Sequence, residues 1–153
     1  MQFILLMLLI ILSTFVQAGE KIDLNAFANQ YFDKMVATQF PNASEKDLDE
    51  YLALLKDDVG HSHLPWVTDD TRYLDGKKSM KKGMKHYLGS HTRFKAELLN
   101  VFTFNSSAIA VRYKKQVSGT HPDNNQPIEY ERTIMEVLEL EGGKVAVIRK
   151  YHE

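Results

Sequence analysis

The sequence contains no cysteine. That excludes disulfide staples, thiolate nucleophiles and cysteine-bound metal, so stability has to come from an apolar core. A chain of 153 residues is long enough for one such core and too short for two domains of ordinary size. An excess of charge of one sign is also missing. With 19 basic and 20 acidic residues the net charge is −1, which argues against general binding to nucleic acid or an anionic membrane. A Gly-rich phosphate loop, an HExxH zinc motif and a nucleophile motif are absent as well, so no motif announces nucleotide, metalloprotease or covalent chemistry.

What is present begins with a continuous apolar run, "FILLMLLIIL" from Phe3 to Leu12, followed by "STFVQAGEK". Val16 and Ala18 supply the small residues of a signal-peptidase site, so residues 1–18 are expected to be a signal peptide cleaved after Ala18. The segment before the run has no Lys or Arg, and a membrane anchor is the competing reading. The run is shorter than the ~20 residues a spanning helix needs. The expected product is therefore a secreted or periplasmic domain, residues 19–153, with no stable membrane anchor. Asn42 and Asn105 open glycosylation sequons that matter only in a eukaryotic host.

From Asp23 to Gln39 the apolar residues Leu24, Phe27, Ala28, Tyr31, Met35 and Val36 follow helical spacing, with Tyr31 on the buried stripe. "FPNA" ends that helix. Ser44 and Asp47 form a capping-box pattern for a second one, lined by Leu48, Tyr51, Leu52 and Leu55. "KKSMKKGMKHYL" reads as a third helix with Met80, Met84, Tyr87 and Leu88 inward and five lysines on a solvated face. After Thr92 the period becomes two. "RFKAELLNVFTFN", "SAIAVRYKKQVSG", "IEYERTIMEVLEL" and "KVAVIRKYHE" are predicted strands, the last two joined at Glu141–Gly142–Gly143. Helices followed by a strand meander indicate an α+β domain with helices packed on one face of a curved antiparallel sheet.

Three stretches, "YLALLKDDV", "DGKKSMKKGMKHY" and "VLELEGGKVAVIRKYHE", resemble the nuclear transport factor 2-like superfamily, of the SnoaL-like kind. The resemblance runs from about Leu24 to the C-terminus. It implies a cone: a bent antiparallel sheet wrapped around N-terminal helices, with a pocket in its wide mouth. The superfamily holds ketosteroid isomerases, polyketide cyclases, dehydratases, epoxide hydrolases and members without known chemistry, so fold does not settle function. By similarity to the isomerases, Tyr31 matches a tyrosine that hydrogen-bonds the substrate oxyanion. His63, five residues past Asp58, matches the proton-shuttling aspartate, and Glu136 matches a protonated aspartate that is the second oxyanion donor.

The residues add their own argument. In "IEYERTIMEVLEL" Glu136 shares parity with Ile134 and Leu138, so it belongs to the apolar face, where burial raises a carboxyl pKa unless a cation holds it ionised. A cation is close in either hairpin register. A three-residue loop puts Ile148 opposite Glu136 with Lys150 on the diagonal, and a Gly142–Gly143 turn puts Arg149 opposite it. Lys150 departs from the isomerase pattern and favours an anion-binding or ion-paired pocket. His61 and His63, in "DDVGHSHLPW", are read as a metal clamp, an acid–base pair or loop residues. Zinc needs at least a third ligand, and His86, His91, His121 and His152 follow no ligand spacing, so no metal and no cofactor is expected.

Trp66, Tyr87, Phe102, Phe104 and Tyr130 are candidate walls of a hydrophobic pocket, with Lys150 a candidate substrate contact. Two functions fit. One is a proton-transfer isomerase, cyclase or dehydratase for a small carbonyl-bearing or polycyclic substrate, with His63 as base and Tyr31 with Glu136 or Lys150 at the oxyanion. The other is a non-catalytic ligand-binding or association module. The expected partners are a small hydrophobic or carbonyl-bearing molecule and a second copy in a homodimer, with no nucleic acid.

Overall fold

In the computed structural model, residues 22–153 are described, and the expected signal peptide lies outside them. The elements run α1 (Leu24–Ala37), α2 (Glu45–Leu52), β1 (Leu55–Leu64), α3 (Gly76–Tyr87), β2 (His91–Phe104), β3 (Ala108–Thr120), β4 (Pro127–Glu141) and β5 (Lys144–His152). Asp23 starts α1 by accepting from the backbone N–H groups of Asn25 and Ala26 at 2.9 and 3.1 Å. The helix then buries Leu24, Phe27, Ala28, Tyr31, Phe32 and Met35. At the start of α2, Asp47 accepts from both the N–H and the hydroxyl of Ser44, and Leu48, Tyr51 and Leu52 face the core.

The sheet has the order β1-β5-β4-β3-β2. Four strands form the antiparallel meander the sequence predicts. The fifth, β1, lies parallel to β5 and carries His61 and His63, so these are strand residues and the sheet is mixed. A parallel edge strand could follow from a Val/Ile-rich run, but "KDDVGHSHL" is short, charged and interrupted by Gly60. Its outer side is covered by the segment before α3. A Cβ on Gly60 would meet the Asp70 carbonyl oxygen at 2.1 Å.

Side chains of α1 and α2 and the inner face of the sheet form one core, with Leu48, Leu55, Val111, Leu138, Val145 and Ile148 fully enclosed. The third helix is different: none of its residues is buried, and Met80 and Met84 only lean on the core. Its lysines are not simply solvated. Lys77 pairs with Asp57 and Lys85 with Glu45, each at 2.6 Å, and Lys81 pairs with Asp49.

Two bulges set which residues face inward. Gly142 and Gly143 (φ 56° and 77°) make the two-residue turn that pairs Glu141 with Lys144. An extra residue, Ala146, then enters β5 between the Leu140–Val145 and Glu139–Val147 pairs. The frame moves by one, so Lys150 stands directly opposite Glu136 and Arg149 opposite Val137. Neither register expected from loop length alone is the observed one. On β2 a shift between Leu98 and Asn100 gives Phe94, Ala96 and Leu98 the inner parity before it and Val101 after it. Phe102 and Phe104 are thereby turned outward, 61% and 75% exposed, opposite Ala110 and Ala108.

Candidate functional site

Glu136 is the centre of the site. Strand parity places it inside, between Ile134 and Leu138, and it is fully buried. Its Oε1 lies 2.8 Å from Lys150 Nζ and accepts from Tyr113 Oη at 2.7 Å. Its Oε2 accepts from Tyr31 Oη at 2.5 Å, and Tyr51 Oη lies 3.1 Å from Tyr31 Oη. Burial alone pushes a carboxyl pKa up. Here the Lys150 charge and the hydrogen bonds from Lys150, Tyr31 and Tyr113 outweigh burial and bring it down to about 2. Burial and the Glu136 charge hold Tyr31 and Tyr113 well above the ordinary tyrosine value, so both phenols keep their protons.

This geometry differs from the one the resemblance implies. An ionised Glu136 has no proton to give to an oxyanion, and its two oxygens are already occupied by three donors. Tyr31 spends its hydroxyl proton on Glu136 from a fully buried position and does not line the cavity. The physical reason is Lys150: an ammonium beside a buried carboxyl favours the charged form.

A cavity of about 370 Å³ opens in front of this network, between the sheet and α3. Its apolar walls come from Met35, Met80, Met84, Phe94 and Tyr87, and its polar lining from Tyr51, Tyr113, His61, His63, Lys115 and Lys150. Of the wall residues the sequence nominates, Tyr87 lines the cavity. Trp66, 64% exposed, packs on His152 at a ring distance of 4.8 Å, and Tyr130 lies beside Lys115. Neither of them, nor Phe102 or Phe104, belongs to the lining.

His61 and His63 project side by side from β1, ring centroids 4.4 Å apart, and His63 stacks on His152 with Nδ1 3.3 Å from its Nε2. Burial, then the Lys150 charge, pull His61 down to about 3 and His63 to about 4. The same two causes lower His152. All three rings are therefore neutral near pH 7. Among the described residues, no group of three or more His, Asp or Glu side chains is arranged to hold a metal ion.

Tyr51, Tyr113, Lys115 and His152 belong to the site without having been nominated for it by the sequence. For Tyr113 and Lys115 the signal is there: they alternate with Ile109, Val111 and Val117 on one face of β3. Lys115 is pushed down to about 8, by burial first and the Lys150 charge second.

No protein-family model matches the sequence, and no curated protein does. Solved structures do match its fold. An LEH-like epoxide hydrolase from M. tuberculosis aligns with TM-score 0.59 at 15% identity, over 84% of each chain. A nuclear transport factor 2-like protein of unknown function from Exiguobacterium sp. 255-15 aligns with TM-score 0.61 at 13% identity, over 82% of this chain and 96% of its own. A ketosteroid isomerase-like protein from Erwinia carotovora atroseptica aligns with TM-score 0.56 at 13% identity, over 84% of this chain and 92% of its own.

Proposed function

Taking the chain as a protein of the nuclear transport factor 2-like fold, we propose that it is an exported small-molecule-binding domain. Its cavity takes an apolar molecule carrying a carboxylate or carbonyl oxygen. The observation that carries this reading is the unequal charge of the lining. Lys150 is neutralised by Glu136, whereas Lys115 faces the same cavity and forms no ion pair among the described residues. A desolvated cation without a counter-ion is costly, and a ligand oxygen at Lys115 Nζ offsets part of that cost. The volume, about 370 Å³, falls in the range of roughly 300–1,000 Å³ usual for small-molecule pockets. Methionine walls adapt to ligands of differing shape.

Titration of a graded series of aryl carboxylates, the matching ketones and the matching amines, followed by calorimetry, tests the reading. The expected order is carboxylate, ketone, amine, and Lys115→Met weakens the carboxylates about tenfold or more while leaving neutral ligands near their original affinity. Equal affinity for amine and carboxylate overturns it.

Proton transfer is the second reading, favoured by one observation: His61 and His63 are unprotonated at neutral pH and line the cavity beside Lys150. His63 would take the proton, and Lys150 would face the developing oxyanion. A conjugate acid near 4 makes His63 a weak base, which favours binding over proton transfer. Exchange of α-hydrogens of a bound ketone for deuterium, lost in His63→Gln, would reverse that order.

On this reading the mature protein starts at Gly19, checked by intact mass of the secreted or periplasmic protein. The protein also pairs with a second copy through the outer sheet face, where Phe102, Phe104 and Tyr151 are exposed. Sedimentation equilibrium showing a monomer at high concentration overturns that part.

A further inference from the structure

We propose that Lys115 is a nucleophilic amine that condenses with an aldehyde or ketone held in the cavity, forming an imine. The inference rests on the reading that the cavity admits a carbonyl-bearing molecule, and it assigns Lys115 a covalent role beyond binding.

The position of Lys115 is unusual for a lysine of this chain. It stands on the inner face of β3 between Tyr113 and Val117, both buried, so its stem is packed while its head reaches the cavity. Across the strands it faces Ala96 and Arg132. Its neighbour Lys114, on the outer face, pairs with Glu131 at 2.6 Å. Lys77, Lys85 and Lys150 each hold a carboxylate as well. Among the described residues Lys115 has only the Tyr130 hydroxyl, 3.5 Å from Nζ, and the Tyr130 ring, 5.3 Å away.

An imine-forming lysine needs a free lone pair, a carbonyl held against it and a hydroxyl that relays protons. The groups facing Lys115 set the first condition. Burial, Lys150 and Arg132 disfavour its ammonium form, Glu136 favours it, and Tyr130, His63 and His152 are uncharged near pH 7. With the pKa drawn down to about 8, about a tenth of Lys115 is free base at pH 7, against less than a thousandth for an ordinary lysine.

The step balances without a redox partner. The Nζ lone pair forms a bond to the carbonyl carbon, and the C=O π pair moves to oxygen. A proton passes from nitrogen to that oxygen, with the Tyr130 hydroxyl within reach to relay it, giving a carbinolamine. The Tyr130 hydroxyl then gives a second proton to the carbinolamine oxygen, the C–O bond breaks and water leaves as the nitrogen lone pair closes the C=N bond. The resulting iminium returns its N–H proton to the Tyr130 oxygen to give the imine. Lys150, fixed at 2.8 Å by Glu136, supplies a positive charge in the same cavity while negative charge builds on the oxygen.

The test uses 4-formylbenzoate with sodium cyanoborohydride, which reduces the iminium carbon and freezes the adduct as a secondary amine. Peptide mass spectrometry locates it, and the non-reactive congener 4-methylbenzoate is followed by saturation-transfer NMR. Labelling at Lys115 is expected to outpace the exposed Lys78 and Lys82 by at least tenfold at pH 7, with its half-maximum near pH 8. It should vanish in Lys115→Arg, which keeps the charge and the fold but forms no imine under these conditions. Labelling of Lys115 no faster than Lys78 or Lys82 overturns the proposal. If 4-methylbenzoate still binds in that case, the imine falls and the pocket reading stands. If neither binding nor labelling occurs, both fall.

Discussion

Replacing Glu136 by Gln keeps the side-chain shape and removes the charge, leaving the part-buried Lys150 uncompensated. Removing one partner of a buried ion pair costs about 3–5 kcal/mol. The protonation equilibrium gives an independent figure. Glu136 moves from an ordinary 4.5 to about 2 on folding, a difference worth about 3 kcal/mol. Because the folded value is the lower one, this stabilisation is complete above pH 4.5 and fades as the pH falls towards 2. The variant is therefore expected to lose about 3–5 kcal/mol at pH 7, a fall in Tm of roughly 10 °C for a domain of this size. It should also lose the part of the parent's acid sensitivity that lies between pH 4.5 and 2. Urea denaturation across that pH range, followed by circular dichroism, measures both. Adding Lys150→Met removes the orphaned charge and should return at least half of the loss. A loss under about 1 kcal/mol at pH 7, or an unchanged acid slope, refutes the buried pair.

The histidines give a second prediction. In an imidazole NMR titration His61 and His63 should stay neutral down to about pH 3 and 4, and the stability they confer should fade as the pH falls from 6.5 to those values. Since the Glu136 charge raises both, Glu136→Gln should lower both further. Titration near 6.5 would mean that the cavity is open to water at both rings. A third prediction compares two glycines. Gly83 has open space around its missing Cβ, so Gly83→Ala should stabilise α3 by about 0.5–1 kcal/mol, while Gly60→Ala collides with the Asp70 backbone and should destabilise the fold severely. Equal denaturation midpoints for the two variants would contradict this packing.

Much of the fold is visible in the sequence because its signals are local. The α1 stripe, the Ser44–Asp47 cap and the alternation that buries Glu136 all follow from spacing along one element. What escaped depends on partners far along the chain. The β1 strand is held as a strand by pairing with β5, over eighty residues away, not by its own composition. Phe102 and Phe104 look like pocket walls until the β2 bulge reverses their parity. Lys115 reads as one half of a "KK" pair, and only the alternation of β3 separates it from Lys114. The ionised state of Glu136 likewise needs three donors drawn from α1, β3 and β5 at once.

The single extra residue in β5 works like a reading frame. Downstream of Ala146 the strand spells its side chains alternately to the cavity and to the outer surface, and the bulge chooses the phase. Were Ala146 paired in regular register instead of bulging out, every functional side chain would remain in the sequence and yet Arg149 would face Glu136. Lys150 would be turned away from the cavity, and Arg149 would abandon its outer partners Asp70 and Glu139. For this protein the way one residue of the hairpin is accommodated, bulged or paired, thus decides between ammonium and guanidinium at the site's core. Comparison of related chains therefore has to count residues between Gly143 and the lysine before equating their pockets.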